Sequence, residues 1–508
     1  MKRRDLLKDG LAAGVSGILG GCATAQAAGG AFPGTRRPRN LIFLAYDGTG
    51  YEDAAAAGYF SRRILNRPLV YERLLSQGRT GSMQTHSLTS VVTDSAAGSS
   101  AWSTGRKVVN YFVSMIPDGT PLATIHQLAR DRGMRTGLVT TTRITHATPA
   151  AFAVSIRNRD LEDEIAALYL ENRIDVLLGG GAGHFDPAAR EDRRDLFGDF
   201  RREGYDVVRT AEELERSNGS RILGAFTPGT EHMPYEIDRR FQGHPAPSLP
   251  AMTRKALDVL SGSDQPFILQ VEVGRTDHAN HYTDPGGLIW DWMAADETLQ
   301  LILDFVDRDG ETLLVVGSDH DTGGSVVYGF GPYYLRSTQA FETLNGVRAS
   351  HEWLMNHGLS RQPTAEEVMA AVPRYLGYTV TELQAEQLAR VIGTRPLPRE
   401  ARHAHPNWHT NHPDNSVGWI LSQSRPGVPD RPNIAFATGQ HTAGMVPVAL
   451  YGPMVPQGSL GVIDNTALFG VMTEALGIRH ENPTMGEEEA VRRIASMPLP
   501  RSAELHHG

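Results

Sequence analysis

Short apolar runs rich in Val, Ile and Leu recur along the chain, and amphipathic stretches lie between them. Continuous apolar runs of this length are typical of strands buried on both faces of a parallel sheet. In 160–173 and 296–306, apolar residues instead recur every three or four positions, which is typical of helices with one buried face. The pattern therefore predicts buried parallel strands at 41–46, 136–141, 174–178, 267–273, 313–316 and 446–451.

The alternation of strands and helices predicts the fold class. We expect an α/β fold with a doubly wound, mostly parallel central sheet flanked by helices. In such sheets ligands bind beyond the carboxyl ends of the strands, where loops hold polar groups on a rigid scaffold. Polar residues that could bind a ligand fall at these ends: Asp47 after the first run, Thr148 after the second, Glu272 and Asp277 at the fourth, and Asp319 and His320 at the fifth.

The strand pattern lapses between residues 325 and 430. This stretch contains a helical pattern at 364–392 and then a segment rich in Pro, His and Asn. We interpret 325–430 as an insertion that forms a lid, a crown-like region or a dimer contact. The catalytic domain would comprise 31–324 and 431–480, followed by a tail at 481–508. Four histidines of the insertion either bind an additional transition metal, line the pocket mouth or belong to a solvated loop: His403, His405, His409 and His412.

The first 27 residues predict an export signal. Arg3 and Arg4 precede the apolar, small-residue run 10–21, as in a twin-arginine signal. Two processing sites compete, because 25–27 fits a small-residue cleavage site and 19–22 fits a lipobox. We therefore expect a periplasmic or extracellular protein, either released or lipid-anchored through Cys22. No later apolar run approaches the roughly 18 residues of a membrane span.

Composition narrows the function. The 508 residues carry 49 Lys and Arg against 58 Asp and Glu, a formal net charge of −9 at pH 7. That balance provides no broad attraction for nucleic acid or for an anionic membrane, so recognition of an anion must come from a local site. Cys22 is the only cysteine, and the mature chain therefore has no internal disulfide.

A serine predicted at a helix N-terminus is one candidate for such a site. The sequence Thr-Asp-Ser-Ala-Ala at 93–97 opens a run of small residues that ends at Gly105. At a helix N-terminus, unpaired amides and the helix dipole favour an approaching phosphate. By itself, the motif is explained more simply by an ordinary Asp94 or Ser95 cap.

Carboxylates and imidazoles at the predicted strand ends indicate metal ions. Asp277 and His281 lie four residues apart, so on a helical turn both side chains face one way. Asp319 and His320 follow an apolar run, and His441 lies in the segment 438–444. Two or three cations need several such groups to converge, and this set supplies them.

Together these motifs resemble those of alkaline phosphatases, in the same order from about residue 40 to residue 475. The matching segments are Tyr-Asp-Gly-Thr-Gly at 46–50, Thr-Asp-Ser-Ala-Ala at 93–97, His-Ala-Thr-Pro-Ala-Ala at 146–151, 271–281, Asp-His at 319–320 and Gly-Gln-His-Thr at 439–442. The resemblance implies an enzyme that hydrolyses small phosphate monoesters, releases inorganic phosphate, uses two zinc ions and one magnesium per chain, and forms a homodimer.

The resemblance also implies a role for each residue. Asp277, His281 and His441 would bind the first zinc, and Asp47, Asp319 and His320 the second. Asp47 would also bridge to a magnesium held by Thr148 and Glu272. Ser95 would attack phosphorus and carry it as phosphoserine, while Arg159 grips two phosphate oxygens. Asp94 and His278 would help to bind substrate. His146 and His278 would support the ligands from behind, as in animal members of the family.

Some alternatives stay open at this point. Arg157 competes with Arg159, although the spacing from 148–149 favours Arg159. A phosphodiesterase or nucleotide pyrophosphatase of the same superfamily is a second function, but such enzymes usually lack the third metal site that Thr148 and Glu272 would form. A non-catalytic metal- or phosphate-binding homologue is a third, and an intact Ser95 with a full ligand set argues against it.

Overall fold

A computed structural model of the chain describes residues 37–393, 413–422, 431–456 and 458–497. The predicted export signal with Cys22, the four histidines between 403 and 412, and the end of the tail lie outside these residues. Within the described part, no helix is both long and apolar enough to cross a membrane.

The strands are β1 (Asn40–Tyr46), β2 (Arg79–Gln84), β3 (Arg135–Arg143), β4 (Val176–Gly180), β5 (Asp206–Val208), β6 (Ile222–Ala225), β7 (Phe267–Val273), β8 (Thr312–Ser318), β9 (Asp321–Thr322), β10 (Ser325–Val327), β11 (Ile434–Phe436), β12 (His441–Thr442), β13 (Val446–Tyr451) and β14 (Ser459–Asp464).

The α-helices are α1 (Tyr51–Arg63), α2 (Val70–Gln77), α3 (Ser95–Thr104), α4 (Ile125–Arg130), α5 (Ala147–Ala153), α6 (Glu162–Glu171), α7 (Leu196–Arg202), α8 (Ala211–Arg216), α9 (Glu236–Phe241), α10 (Leu249–Ser261), α11 (Arg275–His281), α12 (Pro285–Asp309), α13 (Ser337–Glu342), α14 (His351–Trp353), α15 (Ala365–Leu376), α16 (Glu382–Gly393), α17 (Pro413–Ser422), α18 (Ala467–Leu476) and α19 (Glu487–Ile494).

Among the described residues, ten strands form one central sheet in the order β14-β2-β13-β8-β1-β7-β3-β4-β6-β5. The predicted α/β fold is confirmed, and every predicted strand is present. One expectation was wrong, because β13 runs antiparallel to both of its neighbours, β2 and β8. The continuous apolar run of β13 indicates that both faces of the strand are buried. It carries no information on strand direction, which depends on how the chain returns to the sheet. The other paired strands of this sheet run parallel.

Side chains alternate across the sheet and enter two hydrophobic clusters. In β1, Ile42 and Leu44 face a cluster that includes α12, while Leu41 and Phe43 face the other side. On that second side, the Phe43 ring lies 4.8 Å from the Trp102 ring of α3 and 5.7 Å from the Phe152 ring of α5. This packing holds the helices that carry Ser95 and Thr148 against the carboxyl end of the central strands.

The segment from 325 onward packs into the cluster that contains α12, through residues such as Leu344 and Val372. The helical pattern predicted at 364–392 forms two helices, α15 and α16, because Gly377 adopts φ +74° and ends α15. The two ends of the predicted insertion meet where β10 pairs antiparallel with β11. The division into a catalytic domain, an insertion and a tail stays a prediction.

Candidate metal centre and active site

The polar residues predicted at strand ends gather around the end of β1. This strand lies between β7 and β8, and its last residue, Tyr46, is level with Val273 and Ser318. Asp47 and Asp319 therefore leave the sheet side by side, and Glu272 lies one position before Val273. All of them point beyond the carboxyl edge, where this class of sheet binds ligands.

Gly48 allows this turn to approach α11 closely. Its φ is +62°, and its amide donates to Asp319 Oδ1 at 3.1 Å. A Cβ at this position would lie 2.3 Å from Asp277 Oδ1 and 2.7 Å from the Asp277 Cα. Only glycine satisfies both the backbone angle and the space, so the turn brings Asp47 to the first turn of α11.

His281 and His441 face each other across the site, with their Nε2 atoms 3.0 Å apart. His281 Nδ1 donates to the Gly439 carbonyl at 2.7 Å, and His441 Nδ1 donates to the Thr93 carbonyl at 2.9 Å. Because a carbonyl only accepts, each neutral ring keeps its proton on Nδ1 and turns the Nε2 lone pair inward. Two opposed lone pairs repel unless a positive charge lies beside them.

His320 is oriented in the same way. Its Nδ1 donates to the Thr322 hydroxyl at 3.0 Å, and that hydroxyl donates to Asp277 Oδ1 at 2.6 Å. The remaining Nε2 lies 3.3 Å from Asp319 Oδ2 and 3.2 Å from Ser95 Oγ. Three imidazoles thus present Nε2 atoms to one region, each fixed by a hydrogen bond through the other ring nitrogen.

Four fully buried carboxylates each have one oxygen that receives no hydrogen bond from the described residues: Asp47 Oδ1, Glu272 Oε1, Asp277 Oδ2 and Asp319 Oδ2. Their second oxygens are held, for example Asp47 Oδ2 by the Thr148 hydroxyl at 3.1 Å. A buried oxygen without a partner costs about 1–3 kcal/mol, so four in one place indicate a set of metal ligands.

Electrostatics supports this interpretation. Burial, and then repulsion by Asp319, raises the pKa of Asp47 well above its usual value. Burial, and then repulsion by Asp277, raises the pKa of Asp319 to about 8. Burial also favours the neutral form of Asp277, but His281, His441 and His320 outweigh it and lower the pKa of that carboxyl. The carboxylates can all be ionised at neutral pH only if cations share the site.

The ligand atoms form three groups within which all distances are below 4.8 Å: Asp277, His281 and His441; Asp47, Asp277 and His320; Asp47, His146 and Glu272. The first matches the predicted first zinc site, since imidazole and carboxylate suit zinc. In the second, Asp277 takes the place predicted for Asp319. We favour Asp319 as the ligand, because Asp277 already belongs to the first group, where its Oδ2 lies 3.3 Å from His281 Nε2, whereas Asp319 Oδ2 lies 3.3 Å from His320 Nε2.

The third group includes His146, which we predicted behind the ligands. His146 Nε2 accepts from Arg159 Nη2 at 3.1 Å, so the neutral ring carries its proton on Nδ1. That Nδ1 faces Glu272 Oε1 at 3.4 Å. In this tautomer the Nδ1–H of His146 faces the Glu272 carboxylate without a hydrogen bond, and His146 has no lone pair to offer a metal, which agrees with a supporting role.

Ser95 is fully buried and is the first residue of α3. Asp94 caps this helix, and its Oδ1 accepts from the Ala97 amide at 2.9 Å. Its Oδ2 accepts from the Tyr111 amide at 3.0 Å and from Arg159 Nη1 at 3.1 Å. The predicted helix N-terminus is confirmed, and Asp94 joins the serine segment to Arg159.

The two candidate arginines differ in their surroundings. Arg159 is 6% exposed and contacts both Asp94 and His146. Arg157, two residues earlier, points to solvent. The structure therefore places Arg159, and not Arg157, against Asp94, the residue before Ser95.

Sequence reasoning missed three residues around His278. Arg275 Nη1 donates to His278 Nδ1 at 2.8 Å, and Arg275 Nη2 donates to Glu352 Oε2 at 2.6 Å. The His232 ring lies 4.3 Å from the His278 ring. Arg275 falls two positions before Asp277, inside a segment that we had singled out. Nothing in the sequence connects His232 or Glu352 with the site.

Comparisons with known proteins agree with this geometry. A family model described as "Alkaline phosphatase" matches residues 38–478. The crystal structure of Thermus thermophilus alkaline phosphatase is similar, with a TM-score of 0.86 and 45% identity, covering 91% of this chain and 96% of that one.

Two curated relatives are also similar. Alkaline phosphatase 3 of Bacillus subtilis is 29% identical over 448 residues, which is 86% of this chain and 89% of that protein. The repressible alkaline phosphatase of Saccharomyces cerevisiae is 35% identical over 322 residues, which is 58% of this chain and 56% of that protein. The yeast match thus spans little more than half of each protein.

Proposed function

The chain belongs to the alkaline phosphatase family, whose members hydrolyse phosphate monoesters, and on that premise we propose that Ser95 carries the phosphoryl group as a covalent intermediate. The observation that carries the proposal is the position of the Ser95 hydroxyl. It lies at the N-terminus of α3 and 3.2 Å from His320 Nε2, among oriented imidazoles and carboxylates.

Metal ions complete this site in our proposal. Asp277, His281 and His441 would hold one zinc, and Asp47, Asp319 and His320 a second. Asp47, Thr148 and Glu272 would hold a magnesium, for which oxygen ligands are suited. When bound, these ions supply Lewis acidity that lowers the pKa of the serine hydroxyl and of water and balances the charge of the phosphoryl group.

The protein groups then act in two displacements. The Ser95 hydroxyl gives up its proton and its oxygen bonds to phosphorus, while the ester oxygen departs with the electron pair of its P–O bond and takes up a proton. Water then bonds to phosphorus from the vacated side, the P–O bond to Ser95 breaks, and a proton of the water returns to the serine oxygen as inorganic phosphate is released. Arg159 keeps its contact with Asp94 and turns its remaining N–H groups to two phosphate oxygens, which its planar fork can bind together. The amides at the start of α3 face the same charge.

A close arginine also bears on the choice of substrate. A monoester offers several charged oxygens to Arg159, whereas a diester carries less charge and has an extra substituent where the guanidinium would lie. We therefore propose small phosphate monoesters as substrates.

Hydrolysis of a chromogenic phosphate monoester and of its matched diester, by protein loaded with zinc and magnesium, tests this function. We expect a strong preference for the monoester, a loss of about 1,000-fold or more in Ser95→Ala, and label on Ser95 after acid quenching with a labelled substrate. Ser99→Ala is the matched control, because this buried hydroxyl of the same helix has no partner among the described residues.

Other outcomes would replace the proposal. A preference for the diester would indicate a phosphodiesterase or nucleotide pyrophosphatase. Inactivity on both substrates, in protein that has bound its metals, would indicate a non-catalytic homologue.

We also propose that residues 1–27 direct export by the twin-arginine route and that the mature protein is a periplasmic or extracellular homodimer. Arg3→Lys with Arg4→Lys should retain the enzyme in the cytoplasm. Mass spectrometry of the mature N-terminus should distinguish cleavage at 25–27 from lipidation of Cys22.

A further inference from the structure

We propose that Arg275 is a positioning residue for substrate binding: it fixes the His278 ring so that Nε2–H is available to a phosphate oxygen, and Glu352 holds Arg275 in place. The inference rests on the proposed function, because it assigns His278 to the same phosphate that Arg159 would bind.

The hydrogen bond between Arg275 and His278 determines which atom of the imidazole can donate. A guanidinium has no lone pair to accept with, so Arg275 Nη1 donates and His278 Nδ1 accepts, at 2.8 Å. The neutral ring then carries its proton on Nε2. Among the described residues no hydrogen bond engages that Nε2. His278 is therefore an oriented donor without an acceptor in the part of the chain that the structure describes.

This donor lies close to the proposed phosphate clamp. His278 follows Asp277 in α11, and its ring is 5.8 Å from the His146 ring. His146 in turn contacts Arg159 at 3.1 Å. One imidazole therefore separates His278 from the arginine proposed to bind phosphate.

Arg275 has little freedom to move. It is 2% exposed, and its Cζ lies 3.8 Å from the centre of the Tyr235 ring. Its Nη2 donates to Glu352 Oε2 at 2.6 Å. A stacked guanidinium with a carboxylate on one side and an imidazole on the other has one orientation that satisfies both partners.

Glu352 is itself held in place by the backbone of α14. The Ser350 amide donates to Asp238 Oδ1 at 2.8 Å, and the His351 amide donates to Asp284 Oδ2 at 2.7 Å. Glu352 belongs to the segment 325–430 that the sequence predicted as an insertion. Its contact with Arg275 gives that segment a specific role, which is to support a substrate-facing histidine from behind.

Calorimetric binding of inorganic phosphate to zinc-loaded protein carrying Ser95→Ala tests the inference without turnover. We expect Glu352→Gln to weaken phosphate binding about 3- to 10-fold, which is the size expected when one hydrogen bond to a charged group loses its alignment. Arg275→Met should weaken it at least as much, and Arg275→Lys, which keeps one donor, should lie between the wild type and Arg275→Met. Glu342→Gln is the control, because it removes an exposed ion pair with Arg63 from the same segment.

A double-mutant cycle separates positioning from general destabilisation. His278→Ala should weaken phosphate binding by itself, and Glu352→Gln should add nothing in that background. With Ser95 intact, Glu352→Gln should raise KM while kcat stays within about twofold. Additive losses, an equal loss in Glu342→Gln, an unchanged affinity in Glu352→Gln or zinc loss from that variant would each overturn the inference. Absence of monoester hydrolysis in the wild type would instead refute the proposed function.

Discussion

The Nε2 atoms of His281 and His441 lie 3.0 Å apart, while both Nδ1 atoms donate to backbone carbonyls. Burial lowers the pKa of His441 to about 4. Burial also disfavours charge on His281, but Asp277 and the Gly439 carbonyl outweigh it and raise the pKa of His281. One positive charge can therefore be shared by this pair and Asp277, either as a proton or as a metal ion.

Metal removal should lower both stability and activity. A chelator would leave the opposed lone pairs and buried carboxylates without their cations, so the Tm should fall, and it should recover when zinc is restored. His441→Ala should lose most of the zinc in the first site, measured by elemental analysis. His357→Ala, an exposed histidine elsewhere, should keep the wild-type metal content and Tm. An unchanged Tm after complete zinc removal would contradict this account.

Asp94 should have separable roles as a helix cap and as a partner of Arg159. Asp94→Asn keeps a good cap but weakens the hold on Arg159, so the inhibition constant of phosphate should rise with little change in stability. Asp94→Ala should also lower the free energy of unfolding by about 1 kcal/mol. Urea unfolding and phosphate inhibition measure the two effects.

The control for Asp94 is Asp195, which caps α7 through the Gly198 amide. Asp195→Ala should lower the free energy of unfolding by a similar amount and leave the inhibition constant of phosphate unchanged. If Asp94→Asn also leaves inhibition unchanged, Asp94 does not orient Arg159.

Two glycines with similar backbone angles should respond differently to alanine. Gly133 has φ +77°, and a Cβ added to it would have nothing within 4 Å. Gly133→Ala should therefore lower the free energy of unfolding by only about 1–2 kcal/mol, the cost of a left-handed backbone for a residue with a Cβ. Gly48→Ala adds a collision with the Asp277 backbone and should cost more and reduce bound zinc. Equal effects of the two substitutions on stability and zinc content would show that space beside Asp277 is unimportant.

Buried His126 should make the fold sensitive to acid. Its side chain is fully buried, neither ring nitrogen has a hydrogen-bond partner among the described residues, and burial lowers its pKa to about 3. The His126 ring thus stays neutral in the folded protein, whereas in the unfolded chain it binds a proton below about pH 6.5. Stability from this group is complete above pH 6.5 and falls as the pH drops toward 3.

His126→Phe should remove this dependence. When the pH is lowered from 7.5 to 5.5, the free energy of unfolding of the variant should rise by about 1.4 kcal/mol relative to that of the wild type. Urea unfolding at both pH values measures it. Thr253→Val, at a buried hydroxyl that has no hydrogen-bond partner among the described residues and does not titrate, should show no such gain. A constant difference between wild type and His126→Phe at the two pH values would contradict the assignment.

The sequence by itself determined six strands of the central sheet, the fold class and the chemical types of the site residues. Burial of a strand is visible as a continuous apolar run, and the four-residue spacing of Asp277 and His281 gives one helical face regardless of the rest of the chain. The motifs also occur in the same order as in alkaline phosphatases, and this resemblance is supported by the match to the family model. The roles assigned to individual residues, the export signal and the cluster from His403 to His412 stay predictions.

Only the tertiary structure decided the relationships between distant segments. Contacts across the sheet decide the direction of β13 and turn the nitrogens of three imidazoles inward. They also leave one oxygen each of Asp47 and Asp319 without a hydrogen-bond partner among the described residues. Glu352 reaches Arg275 from 77 residues away. Local pattern carries no information about such pairs, because they arise when packing fixes which segments meet and in what register.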